Sequence, residues 1–371
     1  MAALPPANKG RSASTADDDD GLLRRRRRPS SSSSSSPPAS SSTTTTADTL
    51  VHAVKALEHK AEHTLLQLWD DLPAWRRDNA FIRSGYRPIR GSYAHSLRSL
   101  FYLHNESVNI WTHLLGAIVA IALSLWCLRG VLVAAAATTS TRRPYEDYYR
   151  YVSTYAAAAA RNASRADVCV FACFFGGAVV CLGMSATFHA LVDHSEDVAR
   201  WGNKLDYTGI VALIVGSYVP ALYYGFFCRP VLLTGYLALI CLLGTGCAAV
   251  SWIERFRTPQ WRPYRAGMFI GLGLSGIVPV VHGLSIYGYR ELENRMSISW
   301  VIAHGAMYIF GAVLYAARWP ERRSPGAFDF WGSSHQIFHM CVLLAAGTHF
   351  YGMTKAFDHH HTVMGSQCLN E

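Results

Sequence analysis

Seven long apolar stretches run through this chain, and they constrain its fold more than any other feature of the sequence. Each holds about 20 or more mostly apolar residues, which as a helix can cross roughly 30 Å of hydrocarbon. Gly, Pro and aromatic residues lie inside and at the ends of the stretches, as membrane helices tolerate, and polar or turn residues separate them. The sequence therefore predicts an all-α membrane protein, a seven-transmembrane helix bundle with spans at 109–134, 167–191, 205–227, 230–253, 265–288, 297–317 and 334–354.

Composition and charge support a membrane class. Only 16% of the residues are charged, against about a quarter in soluble domains. The net charge of +9 comes from an N-terminal tail and from residues beside the apolar spans, not from one soluble face, so we expect no nucleic-acid partner. Most of the nine cysteines lie inside apolar stretches and none of these forms a C-x-x-C pair, so we interpret them as small core residues.

The apolar stretches also divide the chain into regions. Residues 1–47 consist largely of Ser, Thr, Arg and Asp runs, which predict a disordered low-complexity tail. We expect residues 48–108 to form a juxtamembrane amphipathic segment. The spacing of apolar residues over 49–70 indicates a membrane-surface helix, and the alternative is a partly formed juxtamembrane helix. A seven-helix transmembrane domain at 109–354 and a C-terminal tail at 355–371 follow.

The distribution of Lys and Arg predicts the orientation. The loops on the N-terminal side of the membrane carry most of these residues, which favours a cytosolic N-terminus and an outside C-terminus. The long loop at 135–166 is also basic and would lie outside, which opposes this orientation, although the rule for Lys and Arg is weaker in long loops. We expect a multi-pass protein of the plasma membrane or endoplasmic reticulum.

Polar residues that carry chemistry meet on one face of the membrane. His189 ends the second span, Asp206 opens the third, and His335 and His339 open the seventh. The end of an even span and the start of an odd span share the face of the N-terminus, whichever face that is. His335 and His339 are four residues apart, so they lie on one helix face within reach of one ion.

This grouping predicts a zinc site with His189, His335 and His339 as ligands. Three neutral imidazoles and one open position are typical of catalytic zinc. Asp206 could orient or deprotonate the water, and Ser185, one helical turn before His189, could hydrogen-bond in the site. Singly, a membrane histidine is more often an interhelical hydrogen-bonding group, and an aspartate at a span entrance is more often a helix N-terminal charge. Their shared depth and side favour the metal.

At these residues the sequence resembles the progestin and adiponectin receptor family, which includes haemolysin III-like proteins and fungal members linked to zinc homeostasis. The resemblance covers about residues 66–354. It is carried by three groups of motifs in the same order: Gly85-Tyr-Arg-Pro88 with Ser99-Leu-Phe-Tyr-Leu-His-Asn-Glu-Ser-Val-Asn-Ile-Trp-Thr-His-Leu114; Ser185 to His189 with Leu205-Asp-Tyr-Thr-Gly-Ile210 and Gly216-Ser-Tyr-Val-Pro220; and His335-Gln-Ile-Phe-His339 with His349-Phe-Tyr351.

The resemblance implies seven helices with a cytosolic N-terminus, zinc near the cytosolic side, and ligands at His189, His335 and His339. It also implies a water-holding carboxylate at Asp206 and a retained serine at Ser185. The sequence as a whole resembles a fungal member of the family more than an animal hormone receptor. The long N-terminus and the loop at 135–166 depart from the family pattern, so the resemblance does not identify an extracellular ligand.

Three functions compete. The first is a zinc-dependent intramembrane hydrolase of a lipid amide, with ceramide or another sphingolipid as the substrate that the resemblance favours. The second is a non-catalytic receptor or regulator in which zinc is structural, with a role in lipid and zinc homeostasis. The third, a zinc transporter, fits less well because conduction needs polar groups through the full bilayer depth.

Overall fold

The computed structural model describes residues 66–139, 163–365 and 368. The predicted tail at 1–47 and most of the predicted surface helix at 49–70 lie outside the described residues. Within the described ranges the chain is helical, with one isolated β-bridge between Gln67 and Tyr86. Seven of its helical segments are long and apolar enough to cross a membrane. The prediction of an all-α, seven-span, multi-pass membrane protein is confirmed.

The spans, numbered in chain order, follow the apolar stretches closely. Their helices are Ser107–Thr139, Arg165–Leu191, Glu196–Gly225, Pro230–Ser251, the pair Arg262–Leu274 and Ile277–Met296, Ile298–Ala317, and Ser334–Thr362. The seventh helix continues beyond the end predicted at 354. We use these ordinal numbers for the spans throughout.

The third span begins well before the predicted start at 205. The Ser195 hydroxyl accepts a hydrogen bond from the backbone N–H of Val198, and Glu196 and Asp197 occupy the first turn. A serine cap and acidic first-turn residues stabilise a helix N-terminus. The helix therefore extends past the hydrocarbon region, where apolar content alone gives no signal.

The fifth span is broken at Ser275 and Gly276, and its second part, Ile277–Met296, is kinked again at Gly288, where φ is 74°. At this break the backbone N–H of Gly276 donates to the carbonyl of Gly273 at 3.3 Å, and the Tyr218 hydroxyl of the third span donates to the same carbonyl at 2.6 Å. Pro279 lies just after the break, in the first turn of the second helix, where its missing N–H costs little. A side chain from a neighbouring span thus compensates for the interruption.

The second and third spans pack closely because glycines face the contact. A Cβ atom added at Gly216 would lie 2.5 Å from the carbonyl oxygen of Cys173, and one added at Gly209 would lie 2.8 Å from the Cα of Cys181. Only glycine allows this approach, the small-residue packing common between membrane helices. The contact brings the end of the second span beside the start of the third.

Polar contacts hold the segment that precedes the first span against the face where the second span ends and the third span begins. The Asp78 carboxylate forms ion pairs with Arg262 and Arg318, and the Asp329 carboxylate accepts hydrogen bonds from the backbone of Arg83 at 2.8 Å and the hydroxyl of Ser84 at 2.6 Å. Desolvation raises the pKa of Asp78, but the two guanidinium groups outweigh it and lower the pKa to about 2. The carboxylate is therefore charged at physiological pH.

On the opposite face, a disulfide joins Cys228, after the third span, to Cys368 near the C-terminus. Asp167 also links spans at this opposite face. It accepts hydrogen bonds from the Tyr224 hydroxyl at 2.7 Å and the Ser164 hydroxyl at 2.6 Å, and it lies 3.0 Å from the ring of His361. The far face is thus fixed by covalent and polar contacts among the second, third and seventh spans.

Candidate metal centre

Three histidines from two spans converge near the face of the juxtamembrane segment. Ligand nitrogens of His189, His335 and His339 lie within 4.8 Å of one another. The three ring centroids are almost equally spaced, at 4.9 to 5.0 Å, and each pair of rings is steeply tilted, by 71° to 76°. Rings in this arrangement can direct one nitrogen each toward a common point. The structure therefore brings the three predicted ligands together in a cluster that could hold a metal ion.

Hydrogen bonds fix two of the rings. The Nδ1 atom of His189 lies 2.7 Å from the Glu106 carboxylate, and the Nδ1 atom of His339 lies 3.2 Å from the backbone carbonyl oxygen of Asn109. The Nε2 atom of His189 is buried and has no hydrogen-bond partner among the described residues. A buried polar nitrogen without a partner is costly, and this atom is available to bind a metal ion.

Arg87 fixes the end of the second span. This fully buried arginine donates to the carbonyls of His189 at 2.6 Å and Ala190 at 2.9 Å, which are unpaired at a helix C-terminus. Asp193 balances its charge at 3.1 Å. Burial lowers the pKa of Arg87, and Asp193 opposes this effect. The backbone at His189 is thus held in place, which limits where its ring can point.

Asp206 and Ser185 lie beside the histidines. Asp206 is 9% exposed and Ser185 is 2% exposed, and the Ser185 hydroxyl hydrogen-bonds the Asp206 carboxylate. Both residues line a cavity that His335 and His339 also line. The structure therefore places all five predicted site residues in one region.

Two cavities meet at this cluster. The larger, of about 660 Å³, lies under the juxtamembrane segment and is lined by Asp78, Glu106 and Arg318 among others. The smaller, of about 160 Å³, extends into the bundle and is mostly apolar. Asp206 and His335 line both cavities. A group bound at the histidines would thus face a space with several charged side chains on one side and a more apolar space on the other.

The support from the first span was not predicted from the sequence. Glu106 and Asn109 hold ligand rings, and the ring of His113 stacks on His339 with centroids 3.6 Å apart and planes 8° apart. The signal was present in the quoted motif, because residues 106, 109 and 113 share one helix face. The sequence could not show which histidines that face would meet.

Other histidines lie apart from the cluster. His304 and His349 contact each other deeper in the bundle, with ring centroids 4.7 Å apart. His359, His360 and His361 continue the seventh helix at the opposite face. Among the described residues, only His189, His335 and His339 form a group of three or more potential ligands close enough for one ion.

The fold and the site define a heptahelical membrane protein with a buried three-histidine cluster near one face. The Haemolysin-III related family matches residues 101–350, and the chain belongs to this family, as its motifs predicted. It is 40% identical over 307 residues to the ADIPOR-like receptor IZH2 of Saccharomyces cerevisiae, covering 82% of this chain and 89% of the yeast protein. It is thus an adiponectin-receptor-like membrane protein.

Relatives extend to animals and plants. The adiponectin receptor protein of Drosophila melanogaster is 39% identical over 318 residues, covering 83% of this chain and 65% of the fly protein. This chain therefore spans slightly less than two thirds of the fly receptor. Heptahelical transmembrane protein 4 of Arabidopsis thaliana is 34% identical over 348 residues, covering 80% of this chain and 89% of the plant protein.

Proposed function

We propose that this protein is a zinc-dependent hydrolase of a membrane lipid amide, with ceramide as the leading substrate. The observation that carries the proposal is the position of the three-histidine cluster at the junction of the two cavities, with a carboxylate that lines both. Hydrolysis needs water and lipid at one point. The polar cavity suits water, and the apolar cavity suits part of an acyl chain.

The donor set fits zinc. Imidazole nitrogens bind Zn²⁺ at about 2.0–2.1 Å, and catalytic sites use three protein ligands with one open position. The buried, unpartnered Nε2 atom of His189 is a suitable donor. Zinc held by His189, His335 and His339 would supply Lewis acidity toward an amide carbonyl and would acidify water at neutral pH.

The chain's own residues would position the reactants and move the proton. Asp206 lines both cavities, so its carboxylate can accept a proton from water on the polar side and deliver it to the departing amine nitrogen. Ser185 donates a hydrogen bond that orients this carboxylate. Packing of the second span against the third keeps Asp206 beside His189. These are general acid–base and positioning roles of the usual kind.

Metal removal tests this proposal. We expect the purified full-length protein to contain about one zinc per chain by elemental analysis and to release fatty acid from ceramide in detergent micelles. Treatment with a strong chelator should abolish release, because no other group in the site can replace the Lewis acid. Added zinc should restore release, and added magnesium, which prefers oxygen ligands, should not.

Three outcomes would contradict the zinc-dependent hydrolase. About one zinc per chain with no fatty acid release from any lipid amide would favour the receptor or regulator in which zinc is structural. Release that persists after complete removal of zinc would separate the activity from the histidine cluster. Absence of zinc from protein purified without chelators, together with no uptake of added zinc, would contradict the metal site itself.

We also propose that the histidine face is cytosolic and the disulfide face lies outside or in the lumen. The disulfide between Cys228 and Cys368 supports this orientation, because such bonds persist in oxidising compartments and are rare in the cytosol. The Lys and Arg residues in the loops of the histidine face support it independently.

Thiol labelling tests the orientation. We expect a membrane-impermeant maleimide to label Cys228 and Cys368 on intact cells that express the protein at their surface, and only after treatment with a reductant. The double variant with C228S and C368S should lose this reductant-dependent labelling, since the seven remaining cysteines all lie within spanning helices. Labelling only after permeabilisation would contradict the proposed orientation. Labelling of intact cells without a reductant would instead contradict the disulfide.

A further inference from the structure

Residues at the start of the first span form hydrogen bonds to the ligand cluster that the proposed chemistry does not use. One oxygen of the Glu106 carboxylate lies 2.7 Å from the Nδ1 atom of His189 and accepts a hydrogen bond from the side-chain amide of Asn109, also at 2.7 Å. The backbone carbonyl of Asn109 lies 3.2 Å from the Nδ1 atom of His339. Two residues one helical turn apart thus contact two of the three candidate ligands.

These contacts determine which nitrogen of each ring carries hydrogen. An ionised carboxylate and a backbone carbonyl can only accept hydrogen bonds. Each Nδ1 atom must therefore be the protonated one, and in a neutral ring Nε2 then holds the free lone pair. For His189 this is the buried atom that has no partner among the described residues. The contacts therefore present the correct atom to a metal.

We propose that Glu106 is a positioning residue for the zinc site, braced by Asn109, which holds His189 in the Nδ1–H form with Nε2 directed at the metal. The inference rests on the zinc site of the proposed function. Carboxylates that bind the second nitrogen of a metal-ligating histidine orient the ring and raise its basicity. Glu106 itself contacts neither the metal nor the substrate in this role.

The alternative is that the contact between Glu106 and His189 only stabilises the packing of the first span against the second. Glu106 and His189 are 83 positions apart in sequence, so their contact would stabilise helix packing even without a metal. In that case, a variant without the contact should have lower thermal stability and unchanged metal affinity. A positioning residue predicts weaker metal binding and altered coordination, and a substitution that keeps an acceptor oxygen should restore both.

The test compares full-length wild type, Glu106→Ala, Glu106→Gln and the control Glu196→Ala. Glu196 lies on the same face of the membrane and lines the larger cavity, but its carboxylate pairs with Arg200 at 2.6 Å and not with a histidine. Zinc affinity is measured by competition with a chelator. The visible spectrum of the Co²⁺-substituted protein reports coordination geometry without any substrate, and the melting temperature of the zinc-free proteins reports the fold.

We expect Glu106→Ala to bind zinc about 10- to 100-fold more weakly and to change the Co²⁺ spectrum, because the His189 ring is no longer held. Glu106→Gln keeps an acceptor oxygen and should recover most of the affinity and the wild-type spectrum. Glu196→Ala should match wild type in both. If Glu106→Ala does not fold, Glu106→Gln still tests the proposal, because a loss of zinc affinity or a changed Co²⁺ spectrum in this variant would contradict it.

Three results would overturn the proposal. Wild-type zinc affinity and an unchanged Co²⁺ spectrum in Glu106→Ala would reduce Glu106 to a packing contact and leave the zinc site intact. Loss of affinity in Glu106→Gln equal to that in Glu106→Ala would show that an acceptor at this position does not hold the ring. Failure of wild type to bind zinc or Co²⁺ would overturn the zinc site itself, and this inference with it.

Discussion

Asp206→Asn should retain about one zinc per chain while its rate of fatty acid release falls about 100- to 10,000-fold, the usual contribution of a positioned general base. Asparagine has nearly the same shape as aspartate and can still accept the hydrogen bond from Ser185. It cannot take a proton from water. Zinc content by elemental analysis and fatty acid release from ceramide should be measured on the same purified samples.

The matched control for this variant is Asp197→Asn. Asp197 is an exposed residue in the first turn of the same span and lies outside both cavities, so its variant should keep wild-type zinc content and rate. A wild-type rate in Asp206→Asn would refute the assigned role. Loss of zinc from Asp206→Asn would instead make Asp206 part of the metal site.

His339→Ala should lose both zinc and activity. Zinc binding to four-ligand structural sites is worth about 10–16 kcal/mol, so one ligand contributes roughly 2.5–4 kcal/mol if the energy is shared equally. Its removal should weaken affinity by a factor of several hundred. Because the ion would link the second span to the seventh, the melting temperature of the zinc-loaded sample should also fall toward that of the zinc-free protein.

His282→Ala is the control for this variant. His282 hydrogen-bonds Tyr236 at 2.6 Å, on spans that contribute no candidate ligand, and its removal should leave zinc content unchanged. Full zinc occupancy in His339→Ala would place the metal elsewhere. Loss of zinc and stability in His339→Ala, combined with no measurable turnover in wild type, would favour the receptor with structural zinc over the hydrolase.

The spans could be predicted because apolar length is a local property. The start of the third span could not, because the polar residues from Ser195 to Lys204 form a helix through capping and first-turn charges rather than apolar content. The break in the fifth span depends on Tyr218, a residue of another helix. Such features arise from tertiary contacts that periodicity does not record.

The face that carries the candidate site could also be predicted. Parity of the spans places His189, Asp206 and His335 on one side without any knowledge of packing. The contact between Glu106 and His189 could not be predicted, because it depends on the rotation of the first span about its own axis. The disulfide between Cys228 and Cys368, 140 positions apart, likewise depends on where the end of the chain folds back.

The histidine cluster also has a consequence for the order of events during biosynthesis. His339 meets Asn109 across 230 positions of sequence, so the ligand set draws on helices from both ends of the membrane domain. The spans enter the bilayer one after another, and two of the three candidate ligands arrive only with the last. Metal binding would therefore be the last step of maturation, and it would occur only in chains whose insertion is complete.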